Sequence, residues 1–131
     1  MAQTNSSFHQ LNNVKFIQSD LFTNLDPKEK FDIIVANPPY VSQKEYKNLA
    51  EEVKKQPSNA LLAPLNGYSF YTAIFQKSPP FLAPKFLLAL EIGFQQKEKM
   101  LKLIIEHFPK TKVSIFPDGG NYSRAIIIEN G

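Results

Sequence analysis

Asn37-Pro38-Pro39-Tyr40 are the residues of this chain whose types and spacing could do chemistry. They close the apolar run Phe31–Ala36. Each proline fixes its own φ and biases the residue before it toward extended backbone. Asn37 and Pro38 are therefore both held extended, and Asn37 cannot begin a helix. Neither proline has an N–H. The side-chain oxygen of Asn37 and the Pro38 carbonyl are then two acceptors on one rigid frame, with Pro39 and the Tyr40 ring beside them. The guest that matches is a planar –NH2 group. Its two hydrogens go to the two acceptors and its flat face lies on the ring. A plain Pro-Pro turn after a strand is the alternative. Asn before the prolines and Tyr after them favour binding.

Other chemistries have little support. The chain has 131 residues and no cysteine, which excludes disulfides, thiolate catalysis and Cys-ligated metal. His9 and His107 are far apart and lack metal-ligand spacing, so no metal site is expected. A formal charge of +3 comes from scattered lysines, so direct nucleic-acid binding through bulk charge is not expected. The N-terminal stretch MAQTNSSFHQLNN is polar, without an apolar signal core. No apolar run is long enough to span a bilayer. A soluble, cytoplasmic protein without a membrane partner is the default expectation.

The elements that must position the corner alternate between strand and helix. Val14–Ile17 reads as a short strand. Phe31–Ala36 reads as a better one, its continuous Ile33, Ile34 and Val35 suiting a strand covered on both faces. Residues 43–55 look like a charged, exposed helix ended by Pro57. Asn66–Lys77 looks helical, with Phe70, Ile74 and Tyr71 toward the core, and Pro79-Pro80 stop it. Lys85–Gly93 is a buried strand holding Glu91. Gln95–Phe108 is an amphipathic helix, with Met100, Leu103 and Ile104 at helical spacing. KVSIFP and RAIIIEN are the last two strands. The loop DGGNYS between them is too short for a parallel crossover, so that pair should be antiparallel. Asp118 and Arg124 flank this loop and can pair. The sum is one α/β domain with a mostly parallel sheet. At the carboxyl end of such a strand ligands bind, and the corner sits at one.

The N-P-P-Y signature resembles that of S-adenosylmethionine-dependent amino-methyltransferases. VKFIQSDLF followed by FDIIVANPPYV narrows the resemblance to the HemK/PrmC family, the glutamine methyltransferases of peptide chain release factors. ALLAPLNGYSFY, LALEIGFQQ and PDGGNYSRAIII match further, in the family's order. AQTNSSFHQLNNV resembles the helix before the family's third strand. The chain departs from the family at Gln56-Pro57-Ser58, where Glu-Pro-Arg is usual. It also has no G-x-G-x-x-G after a strand; its glycines are Gly67, Gly93, Gly119, Gly120 and Gly131.

The resemblance implies a partial Rossmann-like class I methyltransferase fold, with residues 1–131 as the C-terminal portion of its catalytic domain. It implies transfer of a methyl group from S-adenosylmethionine to a glutamine amide of a release factor. Asn37 and Pro38 would be catalytic. Asn37, Pro38, Pro39 and Tyr40 would hold the substrate amide. Asp20 and Leu21 match the family positions beside the adenine, with Asn37 completing the cofactor side. Asp20 alone reads equally as a turn cap. Glu91 reads equally as a solvated strand end or a supporting residue. Without the glycine loop, this chain alone is expected to bind the cofactor weakly or not at all. Two other functions stay open: a DNA adenine methyltransferase, because adenine's –NH2 would fit the same corner, and a non-catalytic module. The implied strand order leaves the strand 31–36 as an apolar edge. That predicts a homodimer through it, or segment 14–17 folding over it.

Overall fold

The computed structural model describes residues 1–48, 50–93 and 95–131. Leu49, inside the predicted helix 43–55, and Phe94, inside LALEIGFQQ, lie outside the described residues. In chain order the elements are α1 (Ala2–Phe8), β1 (Phe31–Ala36), α2 (Gln43–Tyr46), α3 (Glu51–Lys54), α4 (Ser58–Leu61), α5 (Pro64–Gly67) and α6 (Ser69–Lys77). A 3₁₀ turn (Pro79–Phe81), β2 (Leu82–Glu91), α7 (Lys97–His107), β3 (Lys112–Pro117) and β4 (Ser123–Asn130) follow. The fold is mixed α/β on a four-stranded sheet.

The sheet order is β1-β2-β4-β3. β1 and β2 are parallel, joined by the helical crossover. β4 is antiparallel to both β2 and β3. The last two strands turn through Asp118, whose Oδ1 accepts from the N–H groups of Gly120 and Tyr122.

Register decides which side chains are buried. Ile34 lies opposite Leu88 and Ala36 opposite Leu90. Leu88 and Leu90 lie opposite Ile128 and Ile126, which in turn face Val113 and Ile115. These side chains share one face, because strand side chains alternate with period two. α6 and α7 cover that face with Tyr71, Ile74, Phe75, Met100, Ile104 and Phe108. Burying one large aliphatic side chain contributes about 1.5–3 kcal/mol, so this single layer holds the fold.

The opposite face is not covered, and this corrects the expectation for Phe31–Ala36. Ile33 and Val35 are 63% and 76% exposed. The physical reason is that both long helices pack on the same side of the sheet.

Val14–Ile17 is not a strand either. Val14, Phe16 and Ile17 are exposed, and the segment pairs with no strand among the described residues. An extended segment becomes a strand only through a ladder of backbone bonds. It does not fold over β1, so the outer edge of β1 is unpaired among the described residues. The predicted helix 43–55 is two short helices. A capping box of Ser42 and Glu45 starts α2, but no apolar stripe carries it further. The predicted helix Asn66–Lys77 is split: Asn66 and Gly67 end α5, and α6 begins at Ser69, because Gly67 has φ +88° and breaks the run.

Candidate active site

Parallel pairing brings the ends of β1 and β2 together. Ala36 is level with Leu90, so the residues after each strand emerge side by side. Asn37–Tyr40 leaves one strand, and Ile92 and Gly93 leave the other at Glu91. A cavity of about 480 Å³ opens between them, with Asn37, Pro38, Pro39 and Tyr40 on one side and Glu91, Gly93 and Gln96 on the other.

Three segments fasten the corner. From the crossover, Val41 donates its N–H to the Leu61 carbonyl and accepts from the Ala63 N–H, both at 2.9 Å. From the segment after β2, the Gln96 side chain donates from Nε2 to the Tyr40 carbonyl at 3.1 Å. Its Oε1 accepts from the Gly93 N–H at 2.8 Å. From β2 itself, Glu91 Oε1 accepts from the Tyr40 hydroxyl at 3.0 Å. Burial, then this bond to Glu91, raises the Tyr40 pKa above the ordinary phenol value. The phenol is therefore a stable donor at neutral pH.

Two glycines let the corner sit this close. A Cβ on Gly67 would lie 2.2 Å from the Tyr40 carbonyl oxygen, and the residue's φ of +88° already excludes most side chains. A Cβ on Gly93 would lie 2.7 Å from Cδ2 of the Tyr40 ring.

Tyr71 is fully buried, as a core residue should be, and still has a polar task. Its hydroxyl donates to the Glu91 carbonyl at 2.8 Å, with Gln96 Oε1 at 3.3 Å. Burial holds its pKa well above the ordinary phenol range. Arg124 and Asp118 pair at 2.9 Å, and Arg124 also lines the cavity. The bond to Arg124 lowers the Asp118 pKa.

Within this frame the Asn37 side chain is exposed and Pro38 is buried. Among the described residues, no hydrogen bond occupies the Asn37 side chain or the Pro38 carbonyl. Both residues line the cavity, while the side chains of Tyr40, Tyr71 and Gln96 beside them are engaged in hydrogen bonds.

Asp20 and Leu21 stand elsewhere. Asp20 lines a separate open depression with Gln18, Ser19 and Asn24. The turn there uses the backbone of Asp20, whose carbonyl accepts from the N–H and hydroxyl of Thr23. Its carboxylate caps nothing among the described residues. Leu21 is half-buried against the core and sits at φ +50°, an uncommon conformation for a branched residue. No group of three or more metal-ligating side chains occurs among the described residues. No described helix is long and apolar enough to cross a membrane.

A family described as Eco57I restriction-modification methylase matches residues 2–107. The chain belongs to this methylase family. Within it, the likeness to glutamine methyltransferases runs through most of the sequence. The chain is 38% identical over 128 residues to the release factor glutamine methyltransferase of Fusobacterium nucleatum, covering 97% of this chain and 36% of that one. It is 35% identical over 127 residues to the enzyme of the same name from Buchnera aphidicola, covering 97% and 45%. A bifunctional methyltransferase of Rickettsia conorii is 35% identical over 115 residues, covering 87% and 22%. The chain thus spans less than half the length of these relatives.

The sequence assigns no site role to Gln96, Gly67 or Gly93. Gly67 inside a helical pattern was the one available signal, because such a glycine often marks a left-handed residue. Nothing local marks Gln96. Its contact with Tyr40 exists only once β1 and β2 are parallel neighbours.

Proposed function

We propose that this chain supplies the amide-binding corner of a Rossmann-like methyltransferase that methylates a glutamine side chain of a peptide chain release factor. The observation that supports it most is the pair of open acceptors, Asn37 oxygen and Pro38 carbonyl, on a backbone held by three other segments.

An amide nitrogen is a poor nucleophile because its lone pair is delocalised into the carbonyl. The corner addresses this by orientation. Asn37 and Pro38 accept the two N–H bonds and fix the direction of the nitrogen. Both oxygens carry partial negative charge, so they also stabilise the positive charge that grows on nitrogen as the methyl arrives. Pro39 and Tyr40 flank the flat amide. No covalent intermediate is needed: the nitrogen would gain the methyl as the sulfonium C–S bond breaks to leave a thioether, and would then shed one proton to water, so the gain comes from positioning plus electrostatics. Tyr40 keeps its proton, so it acts as a wall and an anchor, not as a base.

S-adenosylmethionine supplies an electrophilic methyl group when bound. The residues here suit part of it. Asp20 has an exposed carboxylate that could accept from an adenine amino group, with Leu21 beside it, in a depression separate from the cavity that Asn37 lines. The chain's glycines offer no phosphate-style loop for close backbone approach.

Membership of a restriction-modification methylase family favours a second reading, methylation of adenine in DNA, whose –NH2 would use the same two acceptors. The scattered lysines, with a formal charge of only +3, give it little surface for DNA. The test is Asn37→Ala in the intact protein, assayed with S-adenosylmethionine and release factor. Methylation should fall by about 100-fold or more, as when one oxyanion-hole group is lost, with the fold intact. Asn37→Asp should retain more activity, because a carboxylate oxygen still accepts. Full activity in Asn37→Ala would overturn the proposal.

A further inference from the structure

Gln96 is only 5% exposed and its amide is used at both ends. Its orientation is forced. The Gly93 N–H can only donate, so it takes Oε1. The Tyr40 carbonyl can only accept, so it takes Nε2. One side chain therefore ties the backbone after β2 to the backbone of the corner. Few alternatives would fit. Glutamate at neutral pH would place a negative oxygen against the Tyr40 carbonyl, and methionine would leave both backbone groups without their partners.

We propose that Gln96 is a positioning residue for amide methylation. By holding the Tyr40 carbonyl, it sets where the Asn37 and Pro38 acceptors point. Tyr40 is two residues from Pro38, and Pro39 between them has a fixed φ, so little freedom separates the held carbonyl from the working one. Ala36 is fixed on the other side by the β1–β2 ladder. The acceptors thus sit between two fixed points, the sheet on one side and the Tyr40–Val41 peptide on the other, whose N–H is held by Leu61 and whose carbonyl is held by the Gln96 amide. A misplacement of about 1 Å at a reacting centre can cost about 100-fold in rate. The inference rests on the proposed methyltransferase activity for its kinetic part only.

The test uses Gln96→Met and Gln96→Glu in the intact protein. Gln96→Met should lower kcat for release factor by about 100-fold while the KM for S-adenosylmethionine stays near that of the unmutated protein. Gln96→Glu should be equally slow at alkaline pH and recover as pH falls. A protonated carboxyl group again both accepts from Gly93 and donates to Tyr40. The titratable and charged groups around the site are Tyr40, Tyr71, Glu45, Glu91 and Arg124, and burial raises both phenols above the ordinary phenol value, so they keep their protons at neutral pH and below. A merely structural glutamine would give no such recovery in the kcat of folded protein. A second readout does not need activity. Hydrogen exchange at the Gly93 amide should speed up in Gln96→Met, and in Gln96→Glu only at the higher pH, while the β2–β4 ladder stays protected. An unmutated protein inactive on release factor would overturn the proposed function, and the Gly93 amide would still decide the clamp. Unmutated kcat in Gln96→Met, or Gly93 exchange that ignores both variants, would overturn the positioning role.

Discussion

The corner at Asn37–Tyr40 and the turn at Asp20–Leu21 both carry residues suited to a site, yet the fold treats them differently. The corner is held by backbone bonds from Val41, by the Gln96 amide and by the Tyr40–Glu91 bond, and two glycines make room for it. The turn is tied mainly to itself, through Thr23 on the Asp20 carbonyl and Asn24 on Gln18 and Ser19. Its anchor to the rest is Leu21 and Phe22 against the core. A group that must orient an amide gains from a fixed frame, whereas a carboxylate beside an adenine edge can adjust. The difference teaches that preorganisation in this chain is concentrated where the reacting nitrogen would sit.

The comparison breaks most severely at Gly67. Gly67→Ala adds a Cβ against the Tyr40 carbonyl oxygen in a left-handed conformation. It should cost roughly 3 kcal/mol of stability and displace the corner. Urea unfolding measures the cost, and a loss below about 0.5 kcal/mol would show that the corner yields easily. Tyr40→Phe is milder. It removes the hydroxyl bond to Glu91, and Glu91 is partly accessible to water, so about 1 kcal/mol is expected. The same denaturation curve reads it.

Alkali sharpens the contrast further. The folded pKa values of Tyr40, Tyr68 and Tyr71 are raised above the unfolded phenol value of about 10. A raised folded pKa means the folded state holds its proton more tightly. That stability is fully present below pH about 10 and is lost as pH rises through the folded values. Tyr40→Phe should therefore lose less stability between neutral pH and strong alkali than the unmutated chain. Parallel curves for the two would contradict it. The smallest effect belongs to the turn. Asp20→Asn should change stability by no more than about 0.5 kcal/mol, because its exposed carboxylate bonds to nothing described. A larger loss would mean that the turn is built on that carboxylate.

What the sequence made legible follows from range. The corner, the strands 112–117 and 124–130, their antiparallel pairing and the amphipathic helix seen as α7 are local patterns. Each is written in adjacent residues or in a short loop. The strand at 14–17 looked equally local, but a strand needs a partner, and that is not encoded in four residues. Ile33 and Val35 misled for a related reason. Their apolar character suits a covered face, but which face the helices cover is settled by the register of the whole sheet. Gln96 was invisible because it meets Tyr40 across 56 positions of sequence.

The most direct test is to map the methyl group. The intact protein should be incubated with S-adenosylmethionine and offered release factor and adenine-containing DNA separately, with Asn37→Ala as control. Mass spectrometry should find one added methyl on a glutamine side-chain nitrogen of the release factor, none on DNA, and almost none in the control. A methyl on adenine, or one on the release factor that survives Asn37→Ala unchanged, would contradict the account.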